Sequence, residues 1–237
     1  LSAISTFDNL INNNKNSAYV AKSILKQGLI YYNTDKDDAA ITKFKKVVAE
    51  FPNSPESLEA VATAKSIYKA NGKVGEYAAW VKTLSFVEVT DAELDNDMYE
   101  SAEKQYLNNS PKKAIEGFTS YLAQFPNGLH ALKVHFYLAQ LYFADKLEKN
   151  AIPHYDYVIA QARNEFTEQA LVRLSEIHLK DKNCELAISV LKQVETIAEF
   201  PQNTTFAQAN LMKCYYEKQD FVNSEIYADK VLKNPKM

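Results

Sequence analysis

The chain has 237 residues, 46% of them hydrophobic, with 27 basic residues against 30 acidic ones. Phosphate contacts need a basic excess and guanine recognition favours arginine, of which the sequence has two, so no nucleic-acid partner is expected. Only 5 Gly and 7 Pro occur, too few for sandwiches, barrels or phosphate-binding loops, so the prediction is an all-α chain. No apolar run is long enough to cross a bilayer, and we expect no direct membrane insertion.

The sequence repeats itself along its length. Phe51-Pro52-Asn53 recurs as Phe125-Pro126-Asn127, 74 residues later, and half of that offset is 37 residues. Steps of about 37 residues lead to a first series of marker positions, Ala40, Tyr77, Ala114, Ala151, Ala187 and Ser224. Four residues after each marker stand Phe44, Val81, Phe118, Tyr155, Leu191 and Ala228. This period predicts about six antiparallel helix pairs.

The predicted elements begin with residues 1–14, the second helix of a truncated preceding pair, because a step back from Ala40 reaches Ala3. Since the chain begins at Leu1, without an initiator methionine, we expect a piece of a longer array. Six pairs follow, at 15–53, 54–90, 91–127, 128–164, 165–201 and 202–237. Their helices are predicted at 17–33, 36–50, 54–70, 74–86, 91–107, 111–124, 128–145, 148–161, 165–181, 184–199, 203–218 and 221–234.

The second pair departs from the pattern. Tyr77 stands at its small-residue marker, and Lys65 stands where the earlier small position of the pair falls. Because small residues let two helices approach closely, we expect the helices of this pair to be splayed or shifted.

The residues at equivalent positions carry a family resemblance. A small residue, an aromatic residue, a second small residue and a second aromatic residue follow one another as Gly28, Tyr31, Ala40 and Phe44, and again as Ala139, Tyr142, Ala151 and Tyr155. Ala114, Phe118 and Ala187 hold the corresponding sites of other pairs. Over nearly its whole length the chain resembles the tetratricopeptide repeat family, which implies a right-handed superhelical α-solenoid.

No string typical of a phosphate loop, a nucleophile elbow or a helical zinc site occurs, and we expect no catalytic, cofactor or metal site. The run Asp91, Glu93, Asp95, Asp97 lacks the glycine and glutamate of a calcium loop and is interpreted as acidic residues at a helix N-terminus. Cys184 and Cys214 form neither a disulfide framework nor a Cys-x-x-Cys site, so they are expected to be buried or idle thiols. An enzyme remains an alternative class.

The resemblance implies that the first helix of each pair lines a concave groove that binds peptides or proteins. Tyrosine and other aromatics suit such contacts, although some of them could instead pack between neighbouring pairs. The candidate groove residues are Tyr32, Tyr99, Tyr106, Phe136, Tyr137, Phe143, Arg173, Lys213 and Tyr216.

The sequence therefore predicts a non-enzymatic scaffold with a protein or peptide partner, and a glycan- or peptidoglycan-binding module is the alternative. A cytosolic cochaperone is less expected, because Leu25, Leu29 and Thr63 stand where such proteins place a carboxylate clamp. The order of motifs, with the segment from Tyr77 to Leu84 in the second pair, resembles long tetratricopeptide proteins of the Gram-negative cell envelope. That resemblance favours the periplasm or cell envelope, with the cytoplasm as the other compartment.

Overall fold

The structure is a computed structural model that describes residues 3–233, and within that range it contains thirteen α-helices and no β-strand. Consecutive helices form antiparallel pairs from α2 onward, and the predicted all-α architecture of helix pairs is confirmed. The helices are α1 (Ala3–Asn13), α2 (Tyr19–Tyr32), α3 (Asp37–Glu50), α4 (Pro55–Ala70), α5 (Val74–Val81), α6 (Asp91–Leu107), α7 (Pro111–Gln124), α8 (Ala131–Ala144), α9 (Glu148–Ala160), α10 (Thr167–Lys180), α11 (Cys184–Ile197), α12 (Pro201–Glu217) and α13 (Phe221–Leu232).

The turn inside each pair has the same backbone geometry. Its central residue has a positive φ of between 53° and 75°, and the next residue donates its N–H to the carbonyl five residues earlier, as Lys36 does to Tyr31 at 2.9 Å. This is the Schellman pattern that ends a helix. The turn residues recur every 36 or 37 residues, which is the period read from the sequence. They are Asp35, Gly72, Asn109, Lys146, Lys182 and Gln219.

The small and aromatic residues of the signature meet inside a pair. Ala40 and Phe44 are fully buried, and a methyl group added to Gly28 would lie 2.5 Å from the Phe44 ring. Gly28 is therefore small because the ring occupies the space where its side chain would stand. Ala114, Phe118, Ala139, Ala151, Tyr155 and Ala187 are likewise fully buried, whereas Tyr31 and Tyr142 are half-buried.

The chain divides into two compact units, Leu1–His130 and Ala131–Met237, called here the N-terminal and C-terminal units. The core of the N-terminal unit includes Val20, Ile24, Val47, Ile67 and Leu94 from successive helices. That of the C-terminal unit is built in the same way from residues such as Leu171, Leu174, Leu191, Val194 and Leu211. Each core is a continuous row of contacts between neighbouring pairs, as repeat architectures require.

Helix α5 is the element that differs most from its prediction, because it ends at Val81 rather than at residue 86. The chain leaves the helix through tight turns at Thr83 and Leu84, and Phe86 and Val87 then pack against the core of the N-terminal unit. Burial of these apolar side chains outweighs the continuation of the helix. The other predicted helices agree with the structure to within three residues at each described end.

The acidic run at the start of α6 has two different roles. Thr90 and Glu93 form a reciprocal capping box, so the helix N-terminus interpretation fits Asp91 and Glu93. Asp95 and Asp97 are instead buried, which corrects the same interpretation for them. Asp95 accepts hydrogen bonds from the Tyr121 hydroxyl at 2.6 Å and the Leu129 amide at 2.9 Å.

Lys65 occupies its unusual position because it has a charged partner in the next pair. Its Nζ lies 2.6 Å from Asp97, and Lys69 Nζ lies 2.8 Å from the other oxygen of the same carboxylate. Burial alone would raise the pKa of Asp97, but the hydrogen bonds from both lysines outweigh it and lower that pKa. An ion cluster thus stands where other pairs use a small residue, while Tyr77 is buried against Tyr68 and Trp80.

Candidate functional site on the first helices of the C-terminal unit

Two cavities lie along the first helices of the pairs in the C-terminal unit. The α10–α12 cavity, of about 450 Å³, lies between α10 and the start of α12. The α8–α10 cavity, of about 470 Å³, lies at the C-terminal ends of α8 and α10. Glu176 of α10 lines both cavities, so they adjoin, and together they are called here the first-helix face.

The α10–α12 cavity is mostly polar. Its charged side chains are four carboxylates and two guanidinium groups, and its exposed aromatic ring is Phe200, which is 57% exposed. The lining residues are Arg163, Asn164, Glu165, Glu168, Gln169, Val172, Arg173, Glu176, Glu199, Phe200 and Asn203.

Glu168 holds one wall of this cavity in place. Its carboxylate accepts hydrogen bonds from the amides of Glu199 and Phe200, at 3.0 and 3.3 Å, and from Asn203 Nδ2 at 2.7 Å. Burial acts to raise the pKa of Glu168, but these hydrogen bonds to its ionised form outweigh burial and lower the pKa. The carboxylate of α10 thereby anchors the N-terminus of α12, where the helix dipole also favours a negative charge.

Both arginines of the sequence line this cavity. Arg163 donates to the Ile197 carbonyl at 3.1 Å and to Glu199 at 2.5 Å. Arg173 donates to Glu176 at 2.8 Å, and its guanidinium lies 4.9 Å from the centre of the Phe143 ring. Each guanidinium is thus paired with a carboxylate and oriented by it.

The α8–α10 cavity has a more balanced charge. Phe143 and Ala144 of α8 form one side, and Lys180 of α10 forms an ion pair with Glu148 at the start of α9. The hydrogen bond from Lys180 lowers the pKa of Glu148. Lys146, Glu176 and Ile177 complete the lining.

The structure brings some of the predicted groove residues to cavities of the C-terminal unit. Arg173 and Phe143 belong to the first-helix face, and Lys213 and Tyr216 line a smaller cavity of about 260 Å³ on α12, where Tyr216 is 65% exposed. Tyr137 is half-buried beneath the ammonium group of Lys133.

Two predicted groove residues lie in the interior instead. Phe136 is 7% exposed and its ring stacks on Phe166 with a centroid separation of 4.4 Å. Tyr99 is 4% exposed, stacks on His130 at 4.0 Å and donates its hydroxyl to Glu103. These side chains pack between neighbouring segments, which was the alternative left open for the aromatic set, so neither offers an exposed surface.

Tyr32 and Tyr106 belong to the N-terminal unit. Tyr32 is 39% exposed, and Tyr106 is half-buried with its ring centroid 6.3 Å from that of Phe118.

Sequence reasoning missed Arg163, Glu168, Glu199 and Phe200. They lie in or beside the connections that precede α10 and α12, where the repeat period gives no information about side-chain direction. One feature of the sequence could have pointed to this cavity, because Arg163 and Arg173 are the two arginines of a lysine-rich sequence.

The part of the chain from residue 3 to residue 233 has no group of three or more His, Cys, Asp or Glu side chains that could hold a metal ion. Its helices include none that is both long enough and apolar enough to cross a membrane. The groups that the first-helix face offers to a ligand are its paired charges and its aromatic rings.

Comparison with known proteins agrees with the helix-pair fold. Residues 22–54, which span α2 and α3, match the family model described as tetratricopeptide repeat, and this confirms the resemblance drawn from the signature residues. No curated protein sequence matches the chain.

The solved structures that match the chain share little sequence with it. The C-terminal part of a TPR repeat-containing protein from Cytophaga hutchinsonii is 16% identical, over 98% of this chain and 91% of that one, with a TM-score of 0.47. A Pseudomonas aeruginosa structure described under the functional characterisation of pilF is 11% identical, over 89% and 90%, with a TM-score of 0.45. YrrB, described as a TPR protein with an unusual peptide-binding site, is 14% identical, over 87% and 99%, with a TM-score of 0.39.

Proposed function

We propose that this tetratricopeptide-like protein is a non-enzymatic scaffold that binds a partner peptide or a peptide segment of a partner protein on the first-helix face of its C-terminal unit. The observation that carries the proposal is the pair of adjoining cavities that share Glu176, lined by α8, α10 and the start of α12. Their volumes of about 450 and 470 Å³ are in the range of small-ligand sites, and each suits one or two peptide side chains.

The charges of the α10–α12 cavity favour a basic ligand. Four carboxylates against two guanidinium groups leave an excess of two negative charges among the lining residues. Glu165 has no role in the hydrogen bonds that organise the cavity wall, so its carboxylate is available to pair with a lysine or arginine of the ligand. Opposite charge contributes to specificity and association rate more than to affinity.

The aromatic rings of the face provide apolar anchors. Phe200 is 57% exposed at the edge of the α10–α12 cavity, and Phe143 lines the neighbouring cavity with Arg173 over its ring. Aromatic rings bury much area at low entropic cost and accept cations over their faces. We therefore expect the bound segment to carry apolar side chains close to its basic ones.

The buried residue Tyr155 lies close enough to Arg173 and Glu176 of the face to be affected by their charges. The hydroxyl of Tyr155 is buried and has no hydrogen-bond partner among the described residues. Burial raises its pKa, and the charges of Arg173 and Glu176 act on it from nearby. A buried hydroxyl without a partner is costly, and an internal water beside it would supply the missing hydrogen bond.

The setting proposed for this scaffold is a bacterial cell-envelope complex. It is supported by the order of motifs, with the segment from Tyr77 to Leu84 in the second pair, which resembles that of long tetratricopeptide proteins of the Gram-negative envelope.

Binding to an array of random peptides tests the proposal. The purified chain is expected to select peptides that carry lysine or arginine next to apolar residues, with an affinity that weakens as salt is added. A Phe200→Ala variant should bind the selected peptides about tenfold more weakly, the loss typical of an interface anchor. Selection of acidic peptides, or binding to peptidoglycan fragments alone, would contradict the proposal.

Leu186→Ala and Glu225→Gln are the matched controls, because both side chains are exposed on second helices, α11 and α13, away from the face. They should leave peptide binding unchanged. Equal losses in Phe200→Ala and Leu186→Ala would place the binding surface elsewhere.

A further inference from the structure

The fold brings the two cysteines of the sequence together in the C-terminal unit. Cys184 is the first residue of α11, and Cys214 lies in the last turn of α12, 30 residues later. Their Sγ atoms are 2.7 Å apart. The sequence predicts buried or idle thiols, and nothing in a spacing of 30 residues indicates that the start of one helix meets the end of the next.

We propose that Cys184 and Cys214 form a disulfide bond that links α11 to α12. Non-bonded heavy atoms are most stable at separations of about 3.5 to 4.0 Å, so two thiols at 2.7 Å are already inside non-bonded contact. The sulfur atoms need to approach by less than an ångström to reach the covalent distance. The bond therefore needs only a small movement of the two sulfur atoms.

The surroundings of the two thiols indicate which one reacts first. Cys214 is 1% exposed, whereas Cys184 is half-buried and reachable by a reagent in solution. Cys184 also donates to the Glu217 carboxylate at 3.2 Å. An oxidant therefore meets Cys184 first, and Cys214 is the thiol positioned to resolve the product.

The same surroundings identify the kind of disulfide. Burial, together with the hydrogen bonds to Cys214 and Glu217, raises the pKa of Cys184 to about 12, and burial raises the pKa of Cys214. A site that destabilises the thiolate does not assist its departure, so the bond resists reduction by exchange. This is the behaviour of a structural disulfide and not that of a catalytic dithiol, whose thiolate is stabilised.

The reaction is a thiol–disulfide exchange in which a small disulfide such as oxidised glutathione is the oxidant. The Cys184 thiolate attacks one sulfur of the oxidant, which forms a mixed disulfide and releases one glutathione thiol. The Cys214 thiolate then attacks Cys184 Sγ, which forms the internal bond and releases the second thiol. The two protein thiols are oxidised, and one molecule of the oxidant is reduced to two thiols.

Intact mass and thiol titration of the full chain test this proposal. After incubation with oxidised glutathione at mildly alkaline pH, the wild-type chain should lose two hydrogens and show no free thiol when unfolded. The Cys214→Ser variant should instead retain one glutathione on Cys184, because its resolving thiol is absent. A proteolytic digest of the wild-type chain should contain the two cysteine peptides joined to each other.

The linked form should also unfold at a higher temperature. A closed loop of about 30 residues in a chain of this size predicts a rise in the melting temperature of about 5 to 10 °C over the reduced form. The Cys184→Ser/Cys214→Ser variant should melt at the same temperature with and without reductant. A wild-type chain that keeps both thiols titratable, that carries glutathione on each cysteine, or that melts alike in both redox states would overturn the proposal.

Discussion

Glycine is scarce in this sequence, and Gly28 indicates what the few glycines contribute. A Gly28→Ala change would place a methyl group 2.5 Å from the Phe44 ring, which is fully buried and cannot move aside. Overpacking of this kind costs about 1 to 3 kcal/mol. Urea denaturation should record that loss in the free energy of unfolding.

Gly75→Ala is the control for this prediction. Its added methyl group would meet the Ser120 hydroxyl at 3.4 Å, an ordinary contact, and it lies in the first turn of α5. The variant should be as stable as the wild type or more stable by about 0.5 to 1 kcal/mol, because alanine favours the helix. If Gly28→Ala and Gly75→Ala behaved alike, the packing of Gly28 against Phe44 would not explain the signature.

Two histidines should make the free energy of unfolding depend on pH. The Nδ1 atoms of His135 and His154 lie 2.8 Å apart, so one ring donates a hydrogen bond to the other. The two rings cannot both carry a positive charge without repulsion. Burial lowers both pKa values, and with the charge of His154 it lowers that of His135 from 6.5 to about 4. The unfolded chain therefore binds protons below pH 6.5 that the folded chain does not bind.

Stability is expected to be fully present above pH 6.5 and to fall as the pH drops toward 4, by about 1 to 2 kcal/mol from His135 after solvent screening of this half-buried ring is included. A His135→Phe variant retains a ring to stack on Tyr157 and should show a flatter profile of unfolding free energy against pH. Identical profiles for the variant and the wild type would contradict this account of the histidine pair.

At the scale of elements, the turns inside the pairs carry a measurable strain. Five of the six turn residues with positive φ are not glycine, and Lys182 is one of them, at 56°. A side chain in this conformation costs about 1 to 2 kcal/mol relative to the right-handed one. Lys182→Gly should therefore stabilise the chain by about 1 kcal/mol, less the entropy that glycine adds to the unfolded state.

Gly72→Ala makes the opposite change in the same kind of turn, at a φ of 75°. No atom lies within 4 Å of the added methyl group, so only the backbone conformation opposes it. Thermal unfolding should show a loss of about 1 kcal/mol. A stabilising Gly72→Ala, or a destabilising Lys182→Gly, would be inconsistent with the left-handed turn geometry.

Helix α5 illustrates how far the sequence could predict the elements. The period located the helix pairs because small and aromatic residues must recur wherever two helices approach. It could not predict the end of α5 at Val81, because that end depends on the burial of Phe86 and Val87 in the N-terminal unit. Contacts between distant residues decide such boundaries, and local propensity does not contain them.

The residues of the candidate site could also be predicted only in part from the sequence. Arg173 and Phe143 could be predicted because they stand at regular positions on first helices. The wall made by Glu168 and the start of α12 could not, because it depends on hydrogen bonds across 31 to 35 residues. Phe136 and Tyr99 stand at equally regular positions and are buried, because a helical period alone does not separate a packing face from a binding face.

In the molecule as a whole, the Cys184–Cys214 bond and the first-helix face involve different parts of the C-terminal unit. The proposed bond joins the end of α12 to α11, whereas Phe200 and Glu199 belong to the connection before α12. Oxidation should therefore change the melting temperature without abolishing peptide binding. A chain that lives in an oxidising compartment such as the periplasm would carry the bond, which agrees with the envelope setting proposed for it.

We expect a peptide to bind along α8, α10 and the start of α12. Hydrogen–deuterium exchange of the full chain, with and without a basic peptide chosen from the array, tests it most directly. Added protection is expected at the C-terminal end of α8, along α10 and at residues 199–203, and no change is expected along α11 and α13 apart from their ends. Protection confined to α9, α11 and α13, or to the N-terminal unit, would contradict it.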